Sequence, residues 1–285
     1  MAASPLLSRR AALIRLGLGA AFSGAVTRAQ ESAVAFALLG DRYHNSDHYR
    51  AAFGKTLVRD AGLGIDFSDE YRLLTPDRLS NYKVLIILRD GMIWPNGHGN
   101  PRSNAGWWSQ GQAEIISDPP LPEMEAKSAG WITPEMGRAV KEFVENGGGA
   151  LLMHNVPYIA PYNDDFRDVL GAVTRGHPAM RPFKVRVVNP DHPITRGVKD
   201  FVVTDEQHFV EYQKDPNDIL LESVNEDGLE HREFGAKSPA GWAYDYGKGR
   251  VVYLAPGHVI SAMWNPEYEK IQRNAVKWLL RKEDS

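Results

Sequence analysis

A glycine-rich turn in the middle of the chain constrains its fold more than any other feature. Three glycines at positions 147–149 are followed by an apolar run over residues 150–153 and then by His154. The preceding segment, residues 133–146, carries apolar residues at helical spacing, namely Met136, Val140, Phe143 and Val144. The glycines end this predicted helix, and the apolar run predicts a buried parallel strand. His154 then lies at the carboxyl end of that strand, where open α/β sheets bind their ligands.

The rest of the chain alternates between predicted strands and helices. Near the N-terminal side, residues 34–40, 64–67 and 84–88 are strand-like, and residues 46–61 have helical spacing that ends at Gly62. Further predicted strands cover 183–188, 219–224 and 251–255, and further predicted helices cover 164–170 and 268–281. This alternation predicts an α/β fold, a mostly parallel sheet flanked by helices and joined by right-handed crossovers.

The alternation stops over residues 91–130, which are rich in Gly, Pro, Asn and Ser and include Trp94, Trp107 and Trp108. Loops of this length inside a domain are uncommon and often functional. Because the segment leaves the carboxyl end of a strand, we interpret it as an irregular insertion that folds over the site. A surface excursion whose tryptophans fill a small core of their own is the alternative.

Residues 1–29 have the composition of an export signal. Arg9 and Arg10 resemble a twin-arginine motif, residues 16–26 are apolar but short for a membrane span, and small residues precede a cleavage point after Ala29. An ordinary secretory signal or an uncleaved anchor is the alternative. We expect a periplasmic or otherwise exported protein in which residues 30–285 form a single domain and residues 1–29 do not pack. No later segment is apolar enough for stable membrane insertion.

Charge and cysteine content exclude several function classes. The leader carries four arginines and no acidic residue, so its removal changes the formal net charge from −3 to −7. This balance argues against nucleic acid as a partner, since phosphate binding needs a positive surface. The chain has no cysteine, so an exported form has no disulfides and depends on its apolar core for stability.

The glycine turn, short strand and following elbow resemble class I glutamine amidotransferase-like folds, in which the elbow presents a nucleophilic cysteine. His154 stands at that position here, so the resemblance does not extend to thiol chemistry, and the chain is not expected to be a glutamine amidotransferase. The second half is similar to the ThuA-like (trehalose utilisation) family. The motifs that carry this likeness lie at residues 192–197, 201–206, 240–242, 246–253, 257–258, 265–266 and 275–278.

This resemblance covers roughly residues 34–280 and implies a flavodoxin-like three-layer sandwich. It also implies a link to disaccharide use, including routes through keto-sugars. In the amidotransferase-like fold a histidine after a late strand serves the nucleophile, and His258 matches that place. The expected partner is therefore a small-molecule carbohydrate. Both a monomer and a homo-oligomer fit the sequence.

Polar residues follow several predicted strands and should meet at one edge of the sheet. We interpret His154, His258 and Glu206 as catalytic candidates, and His44, His154 and His258 as candidate metal ligands; Asp41, Asp90, Asp205 and His208 lie at similar positions. Imidazoles with nearby carboxylates suit a divalent metal such as zinc, or proton transfer near neutral pH. Each of two histidines also has a purely structural alternative: His154 as a hydrogen-bonded core residue and His44 as a helix cap. The position of His177 offers no spacing argument.

Substrate contacts are predicted for one carboxylate and several aromatic rings, because rings pack the apolar faces of sugars. The predicted substrate-binding residues are Asp90, Trp107, Trp108, Trp242 and Trp264. Core packing is the alternative for Trp242. Residues 246–250 resemble a phosphate loop only superficially and are too short for a Walker motif, so we expect a hairpin turn there and no nucleotide cofactor.

Three functions fit these features. The first is an exported enzyme, an isomerase, lyase or hydrolase that acts on a disaccharide or keto-sugar by histidine acid/base or metal-assisted chemistry. The second is a sugar-binding module without turnover on a degenerate amidotransferase fold, which the missing cysteine favours. The third is a structural partner of a periplasmic dehydrogenase. Titratable groups gathered at one edge favour the enzyme, although a shared fold does not by itself fix a reaction.

Overall fold

Nine strands form a central sheet in the order β2-β1-β3-β6-β13-β12-β11-β8-β9, flanked by helices. The computed structural model describes residues 33–95, 118–120 and 127–282. The predicted export signal and most of the predicted insertion, including Trp107 and Trp108, lie outside the described residues. Within the described residues, no helix is both long and apolar enough to cross a bilayer.

The strands are β1 (Ala35–Leu39), β2 (Ile65–Ser68), β3 (Val84–Leu88), β4 (Met92–Ile93), β5 (Ala129–Gly130), β6 (Gly149–Met153), β7 (Ala172–Thr174), β8 (Arg181–Val187), β9 (Phe201–Asp205), β10 (Val210–Tyr212), β11 (Ile219–Val224), β12 (Lys237–Tyr246) and β13 (Gly249–Leu254). The α-helices are α1 (Ser46–Phe53), α2 (Pro76–Leu79), α3 (Pro134–Glu145), α4 (Asp164–Leu170), α5 (Ile260–Met263) and α6 (Pro266–Leu279).

Five strands, β2, β1, β3, β6 and β13, form the parallel part of the sheet. Every residue of β1, β3 and β6 is buried, because helices cover a parallel sheet and its strands are continuous apolar runs. The structure confirms the predicted α/β fold. It also confirms the helix before the glycine turn, which Thr133 caps by accepting a hydrogen bond from the backbone N–H of Met136.

The glycine turn is required by close packing. Gly147 has a φ of +114°, which side chains rarely adopt. A Cβ on Gly148 would lie 2.4 Å from the ring of Phe143, and one on Gly149 would lie 2.9 Å from the side chain of Leu279. Glycine at these positions lets α3 and α6 approach the start of β6.

One predicted helix differs in its second half. The α-helix α1 ends at Phe53, and a π-helical segment, Gly54–Arg59, continues from it. The wider turn buries both Thr56 and Leu57. The apolar spacing of residues 46–61 therefore predicted a continuous helix correctly but not its change of pitch.

The remaining strands, β12, β11, β8 and β9, pair in antiparallel fashion. A tight hairpin joins β12 to β13, which confirms the turn predicted over residues 246–250. Strand β9 is the last in the sheet order, yet the carboxylate of Asp205 at its end accepts a 2.7 Å hydrogen bond from the backbone N–H of Gly257, just beyond β13. The antiparallel half therefore curls back over the carboxyl end of the parallel half.

Candidate metal centre

His154 occupies a sharp elbow directly after β6. Its φ is +53°, a left-handed conformation in which histidine is tolerated better than most residues. The backbone N–H of His154 donates to the carbonyl of Leu254 (2.8 Å), and the hydroxyl of Tyr253 donates to the carbonyl of His154 (2.6 Å). These bonds hold the elbow against β13, so the ring has one fixed position at the sheet edge.

The ring of His154 is fully buried, and its hydrogen bonding sets its tautomer. The Nδ1 atom lies 3.0 Å from the carbonyl oxygen of Ala255. Because a carbonyl only accepts, Nδ1 carries the proton and Nε2 presents a lone pair. A Cβ on Gly257 would lie 2.6 Å from the Cβ of His154, so glycine at position 257 gives the ring its space.

His44 is oriented by the carboxylate of Asp41, which also follows β1. His44 Nδ1 lies 2.7 and 2.9 Å from the two carboxylate oxygens, and Asn155 donates to the same carboxylate at 2.8 Å. Nδ1 is therefore the donor and Nε2 the free acceptor. Asn45, not His44, caps α1, which excludes the capping interpretation of His44.

His258 is positioned through its backbone by Asp205. The carboxylate of Asp205 accepts from the N–H groups of Gly257 (2.7 Å) and His258 (3.0 Å). The adjacent residue, Glu206, directs its Oε2 to a point 3.3 Å from His258 Nδ1 and 3.4 Å from His154 Nε2. The end of β9 thus supplies both a support for one imidazole and a carboxylate that faces two.

Four side chains converge closely enough to hold a metal ion. The ligand atoms of His44, His154, Glu206 and His258 all lie within 4.8 Å of one another. Two ligands at 2.0–2.1 Å from one tetrahedral zinc ion lie about 3.3–3.4 Å apart, which matches the spacing around Glu206. The sequence placed all four residues among its candidates, and the structure brings them together.

The hydrogen bonding of the ring nitrogens shows whether these residues could bind a cation. Within the described part of the chain, His44 Nε2, His154 Nε2 and His258 Nδ1 are buried and have no hydrogen-bond partner. Buried polar atoms without partners are costly and uncommon. A divalent cation among the three nitrogens would satisfy all of them at once, so the residues fit such an ion.

The pKa values of the cluster residues shift in different directions. Burial lowers the pKa of His154 well below its usual value, and the neighbouring His208 adds to this shift. Glu206 raises the pKa of His258 against the effect of burial. Burial alone would raise the pKa of Glu206, but the surrounding imidazoles outweigh it and hold that pKa far below its usual range. His154 is therefore neutral, the form that binds metals, while Glu206 is ionised.

A cavity of about 470 Å³ opens beside the cluster. Its lining consists of Tyr43, His44, Asp90, Met92, Asn155, Tyr158, His177, Glu206, His208 and His258. Asp90 lies in this lining, and the backbone N–H of Met92 donates to its Oδ1 at 2.6 Å. Burial raises the pKa of Asp90 to about 6, with a further contribution from the Asp41 carboxylate. Asp90 can therefore exchange a proton near neutral pH.

Two further histidines belong to this cavity. His208 Nε2 and His177 Nε2 each lie 3.7 Å from Glu206 Oε2. His208 is marked in the sequence only by its position shortly after the predicted strand that becomes β9. His177 had no signal at all, because it precedes β8 and reaches the cluster only through the pairing of β8 with β9.

Of the tryptophans predicted to contact a sugar, neither Trp242 nor Trp264 lines this cavity. Trp242 is fully buried, stacks on Tyr253 with ring centroids 4.1 Å apart, and donates its indole N–H to the carbonyl of Leu170. It is a core residue without a free face, which corrects its interpretation as a substrate contact. Trp264 is partly exposed but does not line the cavity. Trp107 and Trp108 lie outside the described residues.

Solved structures share this architecture. ThuA-like proteins from Bacteroides uniformis and Parabacteroides merdae superpose with a TM-score of 0.58 each, at 19% and 15% identity; both matches cover 87% of this chain, and 91% and 90% of theirs. A β-galactosidase from Bacillus circulans sp. alkalophilus matches with a TM-score of 0.51 and 12% identity, over 89% of this chain and 31% of its own. At such identities these likenesses show the fold alone.

Sequence comparison gives the family. No curated protein matches the chain in sequence. The sequence profile of the ThuA family, described as trehalose utilisation, matches residues 124–279, more than half of the chain. This range contains the glycine turn, the elbow at His154 and the residues after β9 and β13. The chain therefore belongs to the ThuA (trehalose utilisation) family.

Proposed function

We propose that the protein is an exported enzyme that processes a carbohydrate, a disaccharide or keto-sugar, with the help of a bound divalent metal. One observation carries the metal-dependent part of this proposal. Three buried imidazole nitrogens with no partner among the described residues face one carboxylate, all within 4.8 Å. His44 and His154 each donate through Nδ1, so both present an Nε2 lone pair to this centre. Two converging acceptors beside a carboxylate call for a cation rather than for an acid/base pair of histidines.

The roles of the side chains follow from their geometry. His44, His154, His258 and Glu206 would hold zinc or a similar ion, and Asp41 would orient His44 from behind. The ion would supply Lewis-acid polarisation of a substrate oxygen that joins the four side chains as a fifth ligand. Asp90, on the cavity wall with a pKa of about 6, would accept or return a proton beside a sugar carbonyl. These roles suit isomerisation, elimination or hydrolysis.

The lining of the cavity supports an uncharged, hydroxyl-rich substrate. Its described lining residues offer carboxylate, imidazole, amide and phenol groups, and none of them is Lys or Arg. Sugar hydroxyls both donate and accept hydrogen bonds, so they can pair with each of these groups. The family's description as trehalose utilisation points to the same substrate class. The twin-arginine segment near the N-terminus supports export.

The experiment joins metal analysis to a substrate screen. We expect purified protein without residues 1–29 to bind zinc, manganese or nickel, and one of these ions to support turnover of a 3-keto or plain disaccharide. His154→Ala should abolish turnover, and His48→Ala, at an exposed position on α1, should not. Circular dichroism should show both variants folded.

Two results would redirect the proposal. Full turnover by metal-free protein would favour histidine acid/base catalysis over the metal. A disaccharide that binds with unchanged affinity to wild type and His154→Ala, and is turned over by neither, would indicate a sugar-binding module instead.

A further inference from the structure

Two further imidazoles, those of His177 and His208, face the same Glu206 oxygen, Oε2, as His154 and His258 do. We propose that His177, His208 and Glu206 bind a second divalent cation, so that the carboxylate of Glu206 is shared between two ions. The inference rests on the proposed metal centre and extends it to a two-ion site. His177 Nε2 and His208 Nε2 are both 3.7 Å from Glu206 Oε2.

His208 gives the strongest indication of a missing ligand. Its side chain is 1% exposed, and within the described residues neither of its ring nitrogens has a hydrogen-bond partner. A neutral imidazole has one donor and one acceptor, and a histidine with a structural role in a core normally satisfies at least one of them.

His177 repeats the hydrogen-bond arrangement of His154. Its Nδ1 lies 2.9 Å from the carbonyl oxygen of Pro178. Nδ1 is therefore the donor, and the lone pair of Nε2 faces the carboxylate of Glu206. Two acceptors that face each other at 3.7 Å repel unless a cation or proton lies between them. After His44 and His154, His177 is therefore the third imidazole whose tautomer is fixed by a hydrogen bond of Nδ1.

A single ion does not account for all five imidazoles. His44, His154, His258 and Glu206 already supply four ligands, which completes a tetrahedral zinc site. The ring of His208 lies 4.4 Å from that of His154 and 4.9 Å from that of His177, measured between centroids. This places the pair beside the first set of ligands. Ions in two-metal sites lie about 3.5–4 Å apart, a separation that one shared carboxylate can span.

The two positions would differ in access. The first set includes His154 and His44, which are buried. At the second, the His177 side chain is 29% exposed, and only three protein ligands are available, which leaves coordination positions free toward the cavity. The second ion would therefore offer a sugar oxygen more open coordination positions than the first.

Metal stoichiometry tests the inference without any substrate. Wild-type protein is dialysed to equilibrium against Mn²⁺ or Zn²⁺ and the bound metal is counted by mass spectrometry. We expect two ions per chain in wild type and one in the His177→Ala/His208→Ala double variant, with His48→Ala as the matched control at two. Electron paramagnetic resonance of the Mn²⁺ form should show a coupled pair in wild type and an isolated ion in the double variant. If loss of His208 impairs folding, His177→Ala alone, at a partly exposed position, should weaken the second ion at least tenfold.

The number of ions bound per chain distinguishes the proposed first metal centre from the proposed second cation site. One ion in wild type that is unaffected by the double variant would overturn the second site and leave the first intact. One ion that is lost both in the double variant and in His154→Ala would mean a single shared centre and would also overturn it. No bound ion in wild type would overturn both claims.

Discussion

The Oε2 atom of Glu206 lies 3.4 Å from Nε2 of His154, and that nitrogen is buried with no hydrogen-bond partner among the described residues. The separation exceeds the usual 2.7–3.2 Å of an N–H···O hydrogen bond. It matches the distance of about 3.3–3.4 Å between two ligands of one tetrahedral ion. In the amidotransferase-like folds that this chain resembles, the same elbow presents a nucleophilic cysteine. Under the proposed function, His154 would act there as a metal ligand instead.

Glu206→Gln tests this relationship with little change of shape. The amide keeps an oxygen but loses the charge that faces four imidazoles, so the affinity for Zn²⁺ should fall by at least about 100-fold, since even the loss of a partner behind a ligand costs 10–100-fold. Isothermal titration calorimetry measures the change. Glu135→Gln, on the exposed side of α3, is the control. Equal Zn²⁺ affinities of Glu206→Gln and Glu135→Gln would show that Glu206 is not a metal ligand.

Asp41→Asn tests the support behind His44. The carboxylate holds His44 Nδ1 at 2.7 and 2.9 Å, and its loss leaves the ring less basic and less firmly oriented. Metal affinity should fall by about 10–100-fold, with unchanged stoichiometry. Asp47→Asn, exposed in the first turn of α1, should bind like wild type. If Asp41→Asn also does so, His44 is oriented by other contacts.

Gly257→Ala tests the packing of the elbow. The added methyl would lie 2.6 Å from the Cβ of His154, and overpacking of this kind typically costs about 1–3 kcal/mol. Thermal unfolding should therefore begin at a lower temperature, and metal affinity should fall as well. Gly54→Ala adds a methyl with no heavy atom within 4 Å at a helical position and should leave stability equal or slightly higher. A stable Gly257→Ala variant with full affinity would mean that the elbow tolerates displacement.

The affinity for metal should depend on pH through His258. Glu206 raises the pKa of His258, and only the neutral ring binds a metal. Binding below that pKa therefore releases a proton, and affinity should rise by about tenfold per pH unit and per proton, then level off above it. The pKa of His154 is lowered, so His154 contributes no proton. Calorimetry in two buffers with different ionisation enthalpies counts the protons. No release at mildly acidic pH would contradict the assignment of His258 as a ligand.

The local part of the fold could be predicted from the sequence. Strands β1, β3 and β6 are short apolar runs bounded by turns, and such strands end where their side chains become polar. That is why His154, His44 and Asp90 were placed at one edge. The π-helical continuation of α1 escaped prediction, because the apolar spacing of a helix does not distinguish small changes of pitch.

The long-range part of the site could not be predicted in the same way. Glu206 is a candidate from the sequence because it follows an apolar run, but no local pattern marks His177. His177 reaches the cluster only because the antiparallel strands curl back over the parallel ones, and nothing near it in sequence encodes that curvature. Trp242 shows the converse. A tryptophan suits a sugar face and a core equally well, and only its stacking on Tyr253 and its bond to the Leu170 carbonyl decide between them.

A crystal structure of the protein soaked in Zn²⁺, with data collected at the zinc absorption edge, tests the central claim most directly. The account predicts an anomalous-difference peak about 2.0–2.1 Å from His44 Nε2, His154 Nε2, His258 Nδ1 and Glu206 Oε2. A map with no peak among these four atoms at saturating Zn²⁺, and with water molecules bonded to the three ring nitrogens instead, would contradict it.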